Sequence, residues 1–447
     1  MAKIMLYEAL SRIQFAFTVG FHILWPSFTI GLCMFLFICE VLYLKTKNKE
    51  YISIYMFWVK IFALSFAMGV VTGIPMSFQF GTNFAKFSQF TAPIIGPLLS
   101  VEILTAFFLE AVFIGVMLFG WKKVHPLVHL FATFFVMLGT HNSALWILIV
   151  NSWMQTPAGF EVIDGVLNAA SWKEVIFNPS MPYRVSHMLL ASYISTFFVI
   201  FGVSASYLLR NKVNVLAKKA FKLAFCMLVI LVPLQILAGD LHGLNTFKYQ
   251  PEKVAAMEGN WDTHQNAPFL MFAIINSAEE RNWFELKIPN AASLILTHKI
   301  DGEIKGLKEW PKEERPMVGV VFWSFRVMLA IGFAMLVMVL WGSVLAIRKS
   351  LYTSKLYLKI ATLTIPFGFI AVLAGWFVTE VGRQPWSVYR ILKIADSHSP
   401  ITTAAVIFTL SFFVILYSSL MYFYIKFVKL TYKMGMLPAE GVEVYGK

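Results

Sequence analysis

Nine apolar segments alternate with polar connections along the chain, and each is long enough to cross a bilayer as a helix. A hydrocarbon core about 30 Å thick needs roughly 20 apolar residues per helix. The predicted spans are 16–44, 55–79, 95–120, 127–150, 184–209, 219–238, 318–347, 355–379 and 400–428. The pattern therefore predicts an all-α, polytopic membrane helix bundle.

One connection, 239–317, is long and polar. It divides the chain into six helices over 1–238, an outer loop, and three helices with a tail over 318–447. A loop of that length in a compact protein is usually either functional or disordered.

Basic residues predict the orientation, because cytoplasmic loops are enriched in Lys and Arg. They cluster after the first, third, fifth and seventh spans, and again in the tail. These clusters contain Lys45, Lys47 and Lys49; Lys122 and Lys123; Arg210, Lys212, Lys218 and Lys219; Arg348, Lys349 and Lys355; and Lys426, Lys429 and Lys433. We therefore expect the N-terminus and the 239–317 loop outside, and the C-terminus in the cytoplasm.

Composition supports a membrane protein, since 58% of the residues are hydrophobic and 14% are charged. The net charge of +13 does not indicate nucleic-acid binding, because the basic residues lie in short clusters between apolar runs. Cys33, Cys39 and Cys226 lie in apolar stretches without metal-ligand spacing, so neither a disulfide framework nor a zinc site is predicted. The N-terminus lacks the pattern of a removable signal peptide.

Ligand-type residues inside spans are costly to bury, so each one is a functional hypothesis. His22 on helix 1, His187 at the start of helix 5 and Met328 early in helix 7 each lie near the outer helix end. A His/Met pair is a known axial combination for haem iron. The alternatives are a hydrogen-bonded helix contact for each His and ordinary core packing for Met.

Helix 3 carries two carboxylates, Glu102 and Glu110, which are about 12 Å apart along the axis. They either relay protons or form structural hydrogen bonds to a neighbouring helix. Arg326, two residues before Met328, either neutralises a cofactor charge such as a propionate or extends to the membrane interface.

The segment GWFVTEVGRQPW, residues 375–386, ends helix 8 on the outer side. Glu380 and Arg383 are three residues apart and can share a helix face, with Trp376 and Trp386 close by. A plain interfacial cap is the alternative. Because helices 1, 5, 7 and 8 all place a candidate ligand in the outer half, we expect one cluster of redox cofactors facing the long outer loop.

Histidines in the HPLVH stretch have the i, i+4 spacing that can bind a metal, although we expect His125 and His129 to be interfacial residues. His141 inside helix 4 is expected to make a structural contact.

Six segments together resemble one family in order: SRIQFAFTVGFH, FGTNFAKFSQF, EILTAFFLEAVFIG, SALWILIVNSWMQTP, FWSFRVM and EVGRQPW. The family is subunit I of the cytochrome bd-type quinol oxidases, including the cyanide-insensitive branch, and the likeness covers nearly the whole chain. The outer loop resembles the short-loop type. The resemblance implies quinol oxidation at the outer face and reduction of dioxygen to water, which generates proton motive force without proton pumping.

The resemblance also implies a set of haem ligands. His187 and Met328 resemble the axial ligands of a low-spin haem b, with Arg326 beside it. His22 resembles a ligand of haem d and Glu380 a ligand of the high-spin haem b, although the two assignments can be exchanged. A third haem b in place of haem d is also open.

Other family positions imply roles around these haems. Trp376 resembles an aromatic residue between haems, and Arg383 belongs to the EVGRQPW segment. Glu102 and Glu110 resemble an acidic pair near the oxygen site, with Glu110 nearer the inside, and Ser143 resembles a hydroxyl on the proton path.

The outer loop contains KVAAME, in which Lys253 and Glu258 resemble quinol-binding residues. The expected partners are subunit II in a heterodimer, a small single-span accessory subunit, membrane quinol and dioxygen, and no nucleic acid. The expected location is a bacterial or archaeal cytoplasmic membrane.

Two other functions would also use some of these residues. A proton-coupled transporter without haem would use Glu102, Glu110 and Arg326 to bind its substrate. A bis-histidine dihaem cytochrome b would need paired histidines on facing helices, whereas His22 and His187 are solitary.

Overall fold

The computed structural model describes the backbone of residues 2–437 and the side chains of 6–105 and 108–437. The end of the predicted C-terminal tail, from 438 on, lies outside the described residues. The first half forms α1 (Ala2–His22), α2 (Leu24–Thr46), α3 (Lys49–Thr82), α4 (Ala85–Phe119), α5 (Pro126–Gln155), α6 (Trp172–Ile176), α7 (Met181–Arg210) and α8 (Val215–Tyr249). The second half forms α9 (Pro251–Glu258), α10 (Ala291–Thr297), α11 (Val318–Ile347), α12 (Lys355–Leu363), α13 (Phe367–Val381) and α14 (Thr403–Met434).

The predicted membrane bundle is confirmed. Within the described part of the chain, nine helical segments are long and apolar enough to cross a membrane. They are Leu6–Thr46, Lys49–Thr82, Ala85–Phe119, Pro126–Gln155, Trp172–Arg210, Val215–Tyr249, Lys312–Ile347, Lys355–Val381 and Thr403–Met434.

Several helices differ from the predicted spans. The first span is already helical at residue 2 and is interrupted at Ile23, directly after His22. The helix predicted over 219–238 continues to Tyr249, because its polar end is held by protein partners. Asn245 Nδ2, for example, donates to the Pro179 carbonyl at 3.0 Å.

Successive spans run in opposite directions, so the bundle has two distinct ends. We call one the site end; it contains the ends of α5, α8 and α13 and the starts of α7 and α11. The opposite end carries the Lys- and Arg-rich connections such as 47–48 and 120–125, and we call it the basic end.

In the described part of the chain, eight short strands form four antiparallel pairs around the site end. They are β1 (Phe160–Ile163), β2 (Val166–Ala169), β3 (His264–Gln265), β4 (Phe269–Asn276), β5 (Arg281–Ile288), β6 (Glu303–Ile304), β7 (Trp386–Val388) and β8 (Leu392–Lys393). The pairs are β1–β2, β3–β6, β4–β5 and β7–β8.

The connection between α8 and α11 is packed against the bundle. Every residue of α9 from Glu252 to Glu258 is buried, and α9 contacts both α8 and α11. Its Val254 and Ala255 share an apolar cluster with Trp261 and Leu307 from the same connection. The polar segment is thus a structured cover over the site end.

The main core lies between α2, α3, α7 and α8. The close contact between α2 and α7 depends on Gly31 of α2, where an added Cβ would lie 2.4 Å from Thr196 Oγ1 of α7. This packing fixes α7, which carries His187, relative to the first span.

Candidate redox site at one end of the bundle

His22, the last residue of α1, is oriented by a residue of α3. Its Nδ1 lies 2.9 Å from Thr72 Oγ1. The Thr72 hydroxyl donates its own hydrogen to the Met68 carbonyl at 2.7 Å, so Thr72 Oγ1 acts as the acceptor and His22 Nδ1 carries a hydrogen. His22 Nε2 therefore keeps a lone pair, which is the form in which an imidazole ligates a metal.

His187 lies in α7 beside a second histidine from α8. The two Nδ1 atoms of His187 and His242 are 3.1 Å apart, so one of them donates to the other. When His187 is the donor, its Nε2 is free to bind a metal. An added Cβ at Gly239 of α8 would lie 3.9 Å from that Nε2 atom, so the glycine leaves room beside it.

Met328 of α11 packs against a glycine of α13. An added Cβ at Gly375 would approach the Met328 Sδ to 3.0 Å. The next residue, Trp376, faces α1, since a Cβ at Gly20 would lie 3.9 Å from its ring. Because α7 and α11 both pack against α8 and α13, His187 and Met328 lie on two helices that flank the same pair.

Glu380 ends α13 and is held from two directions. Its Oε1 accepts from Asn151 Nδ2 of α5 at 2.7 Å, and its Oε2 accepts from Arg383 Nη2. Its side chain is 19% exposed. The Glu380 carboxylate is therefore fixed in orientation at the junction of α5 and α13.

Two buried arginines near Glu380 have hydrogen atoms without an acceptor in the described residues. They are Arg383 at Nε and Nη1, and Arg184 of α7 at Nε. Burial lowers the pKa of Arg383, while Glu380 raises it. A buried guanidinium without an acceptor is costly, so this position suits an anionic group such as a carboxylate of a bound cofactor.

Lys253 of α9 reaches the same junction. Its ammonium donates to Gln155 Oε1 at 2.6 Å, to Gln250 Oε1 at 2.7 Å and to the Thr379 carbonyl at 3.2 Å. The side chain is 2% exposed, and burial lowers its pKa well below the usual range. Lys253 thus links α9 to the segment that carries Glu380.

Glu258, at the other end of α9, pairs with Arg326 of α11. Arg326 Nη2 donates to Glu258 Oε2 at 2.9 Å, and Nη1 donates to the Met257 carbonyl at 3.2 Å. Arg326 Nε donates to the Leu270 carbonyl. Burial raises the pKa of Glu258, and Arg326 opposes that shift. The guanidinium is therefore held by α9 and β4.

The carboxylates of α4 lie against α5. Glu102 Oε1 accepts from Ser143 Oγ at 2.7 Å. An added Cβ at Gly139 would lie 2.8 Å from Glu110 Cγ, so Glu110 occupies the space that this glycine leaves. Glu110 lies farther from the site end than Glu102 does.

The expected interfacial position of His129 is wrong. The residue is fully buried, and its Nδ1 lies 2.6 Å from Glu40 Oε1. The metal alternative gains no support, because residues 2–437, as far as they are described, contain no group of three His, Cys, Asp or Glu suited to a metal ion.

Sequence reasoning missed four residues of this site. Asn151 orients Glu380, Gln155 orients Lys253 and His242 orients His187. The fourth residue, Arg184, adds a buried cation. Spacing offered one clue, since Arg184 precedes His187 by one helical turn. Asn151 and Gln155 are also one turn apart on α5. Their partners lie far away in the sequence, so pattern alone could not select them.

The residues present fit haem groups. Gly239 and Gly375 leave space beside the candidate axial atoms of His187 and Met328, and the unpartnered guanidinium atoms suit propionates. The fold and site define the class of multi-pass membrane proteins that hold redox cofactors within a helix bundle.

Comparison with known proteins agrees with this class. The family described as cytochrome bd terminal oxidase subunit I matches residues 10–436. Cytochrome bd ubiquinol oxidase subunit 1 of Bacillus subtilis (strain 168) is 38% identical, over 91% of this chain and 90% of its own length. Cytochrome bd-II ubiquinol oxidase subunit 1 of Escherichia coli (strain K12) is 34% identical, over 92% of this chain and 93% of its own length.

A solved structure has the same fold. The bd oxidase from Geobacillus thermodenitrificans superposes with a TM-score of 0.89 at 29% identity, covering 96% of this chain and 99% of the other. The chain therefore belongs to the cytochrome bd terminal oxidase subunit I family. The predicted family and the predicted enzyme class, a terminal oxidase, are both confirmed.

Proposed function

We propose that the chain is the haem-carrying subunit of a quinol:oxygen oxidoreductase that oxidises quinol at the site end. The observation that carries this proposal is the shared location of the four candidate ligands and α9. His22, His187, Met328 and Glu380 lie in the site-end half of the bundle, and the cover that contains Lys253 and Glu258 packs on that end. In this proposal the electron donor site and the electron acceptor sites are neighbours.

His187 and Met328 would hold the low-spin haem b, and His22 and Glu380 the two high-spin haems. One of these is haem d or a third haem b. When bound, the haems supply single-electron transfer and dioxygen reduction. Thr72 holds His22 in the ligating tautomer, and Asn151 orients the Glu380 carboxylate. Trp376 fills the space between α13 and α1.

The quinol would bind beside α9, where two neighbouring cavities of about 270 and 290 Å³ share Pro179 and Tyr249. The first is also lined by Tyr389, whose hydroxyl donates to Glu252 Oε1 at 2.5 Å. Glu252 precedes Lys253 in α9, so Tyr389 connects the lining of this cavity to the helix that carries the buried lysine. Lys253 would hydrogen-bond a ring oxygen and Glu258 would accept a quinol proton.

Protons for dioxygen reduction would come from the basic end through Glu110. Glu102 and Ser143 continue the line of polar groups on α4 and α5 toward the site end. Releasing quinol protons at one face and consuming protons from the other generates a charge separation without pumping. The Lys- and Arg-rich connections favour a cytoplasmic basic end, and the site end would then face outward.

Membership of the subunit I family implies a subunit II partner. The α4 helix exposes Ile103, Leu104, Phe108 and Val112, and a hydrogen bond between Asn142 and Thr105 also lies on the surface. Polar groups exposed to lipid are costly, so this surface suits a protein partner. We therefore propose that subunit II covers the α4–α5 face. A small accessory subunit and a location in the bacterial cytoplasmic membrane are further proposals.

Haem spectra of the purified oxidase test this function. Glu380→Ala should remove one high-spin haem signal and keep the low-spin signal, whereas Met328→Leu should alter the low-spin signal. Glu279→Ala, an exposed carboxylate beside Arg281 in the cover, is the matched control and should leave the spectrum intact. An unchanged spectrum in Glu380→Ala would refute its ligand role, and a colourless wild-type protein would favour a transporter.

A further inference from the structure

A fully buried polar cluster lies near the basic end, at the opposite end of the bundle from the candidate haem ligands. Glu40 of α2 contacts two residues of α5 on the same helix face. Glu40 Oε1 is 2.6 Å from His129 Nδ1, and the Thr133 hydroxyl donates to Glu40 Oε2 at 2.6 Å. The side chains of Glu40, His129 and Thr133 are all 0% exposed. Burying an ionisable pair within a membrane span is costly, so the pair calls for a functional reason.

The hydrogen-bond partners determine how many protons this pair shares. His129 Nε2 lies 3.1 Å from the Met117 carbonyl, which can only accept. Nε2 therefore carries a hydrogen, and the contact between His129 Nδ1 and Glu40 Oε1 must hold one further proton. Whether that proton sits on nitrogen or on oxygen, the pair is neutral overall. One proton is thus shared between a carboxylate oxygen and an imidazole nitrogen, which is the arrangement of a proton relay.

The cluster is placed between the basic end and Glu110. His129 lies one turn below His125, which is exposed, and Trp121 of the 120–125 connection packs over its ring at 3.8 Å between centroids. Farther from the basic end, Cys33 Sγ lies 4.0 Å from the Thr133 carbonyl. Cys33 is within electrostatic reach of both Glu40 and Glu110.

Glu110 itself is close to the helix that carries the cluster. It packs on Gly139, which is about 9 Å along α5 from Thr133. That gap exceeds a single hydrogen bond, so ordered water between Thr133 and Glu110 would complete the route.

We propose that Glu40 and His129 form the first protein step of proton uptake from the basic end toward Glu110. A proton from water at the 120–125 face protonates the carboxylate of an imidazolium–carboxylate pair, giving an imidazolium and a carboxylic acid. The acid then releases a proton on its Thr133 side toward Glu110, and the starting pair returns. Only O–H and N–H bonds change, and no electron moves. The inference rests on the proposed function, because dioxygen reduction is what consumes these protons.

The test uses the purified holoenzyme with three variants of Glu40 and its neighbour. Glu40→Gln keeps the size and hydrogen bonding but cannot be protonated, Glu40→Asp keeps the acid, and Thr133→Val removes the hydroxyl without changing either charge. Glu50→Gln is the matched control, because Glu50 is a partly exposed carboxylate at the same end that binds Lys219. Haem spectra and melting temperature monitor assembly. Proton uptake is followed with a pH dye in reconstituted vesicles, and carboxyl protonation by infrared difference spectroscopy in H₂O and D₂O.

Glu40→Gln should lower kcat and the rate of proton uptake at least about tenfold, while the quinol KM and the haem spectrum stay unchanged. It should also lose a protonated-carboxyl infrared band. Glu40→Asp should recover most of the uptake rate, and Glu50→Gln should behave as wild type. Wild-type proton uptake in Glu40→Gln, or equal loss of haem in Glu40→Gln and Glu40→Asp, would overturn the relay.

If Glu40→Gln does not assemble, Thr133→Val tests the relay instead. Slowed uptake with normal haem content supports the relay, and normal uptake overturns it. Failure of the proposed function is distinguishable, because wild-type protein would then lack haem or quinol oxidation, whatever the variants do.

Discussion

Gly375 lies directly against Met328, so closely that a Cβ at position 375 would stand 3.0 Å from the Met328 Sδ. The sulfur of Met328 is thus positioned by the absence of a side chain on the neighbouring helix. The glycine contributes to the site although it offers no ligand atom.

Replacing Gly375 by Ala should therefore displace Met328. The extra methyl group overpacks the contact at a cost of about 1–3 kcal/mol, and we expect a weakened or shifted low-spin haem signal in the reduced-minus-oxidised spectrum. Gly332→Ala on α11 is the matched control, because nothing lies within 4 Å of a Cβ there. A wild-type low-spin signal in Gly375→Ala would show that Met328 does not depend on this contact.

Thr72→Val should disturb the haem held by His22. Valine cannot accept the hydrogen bond from His22 Nδ1, so the imidazole loses the partner that fixes its tautomer and ring orientation. Loss of such an outer partner typically weakens metal binding or activity about 10- to 100-fold. Haem extraction and dioxygen consumption measure the effect. Thr72→Ser keeps the hydroxyl and should retain haem, so equal loss in both variants would point to packing instead.

Much of the membrane fold could be predicted, because lipid forces a long apolar run wherever a helix crosses. The polar ends of the helices were harder to predict from the sequence. Residues such as Asn245 look like loop residues in a hydropathy pattern, yet α8 continues through them because protein groups satisfy their hydrogen bonds.

Candidate ligands could be proposed from sequence because His22 and Glu380 stand out in apolar surroundings. Their supporting partners could not. Thr72 and Asn151 are ordinary polar residues whose roles arise only when α3 and α5 pack beside the ligands. Likewise His129 follows two lysines and looks interfacial, whereas its partner Glu40 is 89 positions away.

The buried pair of Glu258 and Arg326 gives a stability prediction. Glu258→Leu leaves the Arg326 guanidinium without its counter-charge, which should lower the free energy of unfolding by about 3–5 kcal/mol. The double variant Glu258→Leu/Arg326→Met replaces both charges with apolar groups and should regain much of that stability. Neither variant should oxidise quinol at the wild-type rate.

Thermal melting of the detergent-solubilised protein measures the stability effect, and quinol oxidation measures function. Arg281→Met, an exposed cation of the same cover, should change neither by much. If the double variant is as unstable as Glu258→Leu alone, the Glu258–Arg326 pair stabilises the cover in a further way, beyond neutralising each other's charge.

His398 should make the stability of the site end depend on pH. It is 2% exposed, and neither ring nitrogen has a hydrogen-bond partner among the described residues. Burial, together with the nearby cations Arg12 and Lys86, lowers its pKa to about 4. The unfolded chain, with a His pKa of about 6.5, binds a proton at a higher pH than the folded chain does. Stability is therefore fully present above pH of about 6.5 and falls as the pH drops toward about 4.

His398→Phe removes this titration while keeping an aromatic ring beside Phe84, whose ring centroid is 5.3 Å away. We expect the melting temperature of the wild-type protein to fall more between pH 7 and pH 5 than that of the variant. His264→Phe, an exposed histidine of β3, should keep the wild-type slope. Parallel curves for wild type and His398→Phe would mean that the folded protein binds this proton as readily as the unfolded chain does, or that the imidazolium gains a partner on protonation. Either result would remove His398 as the cause of acid sensitivity.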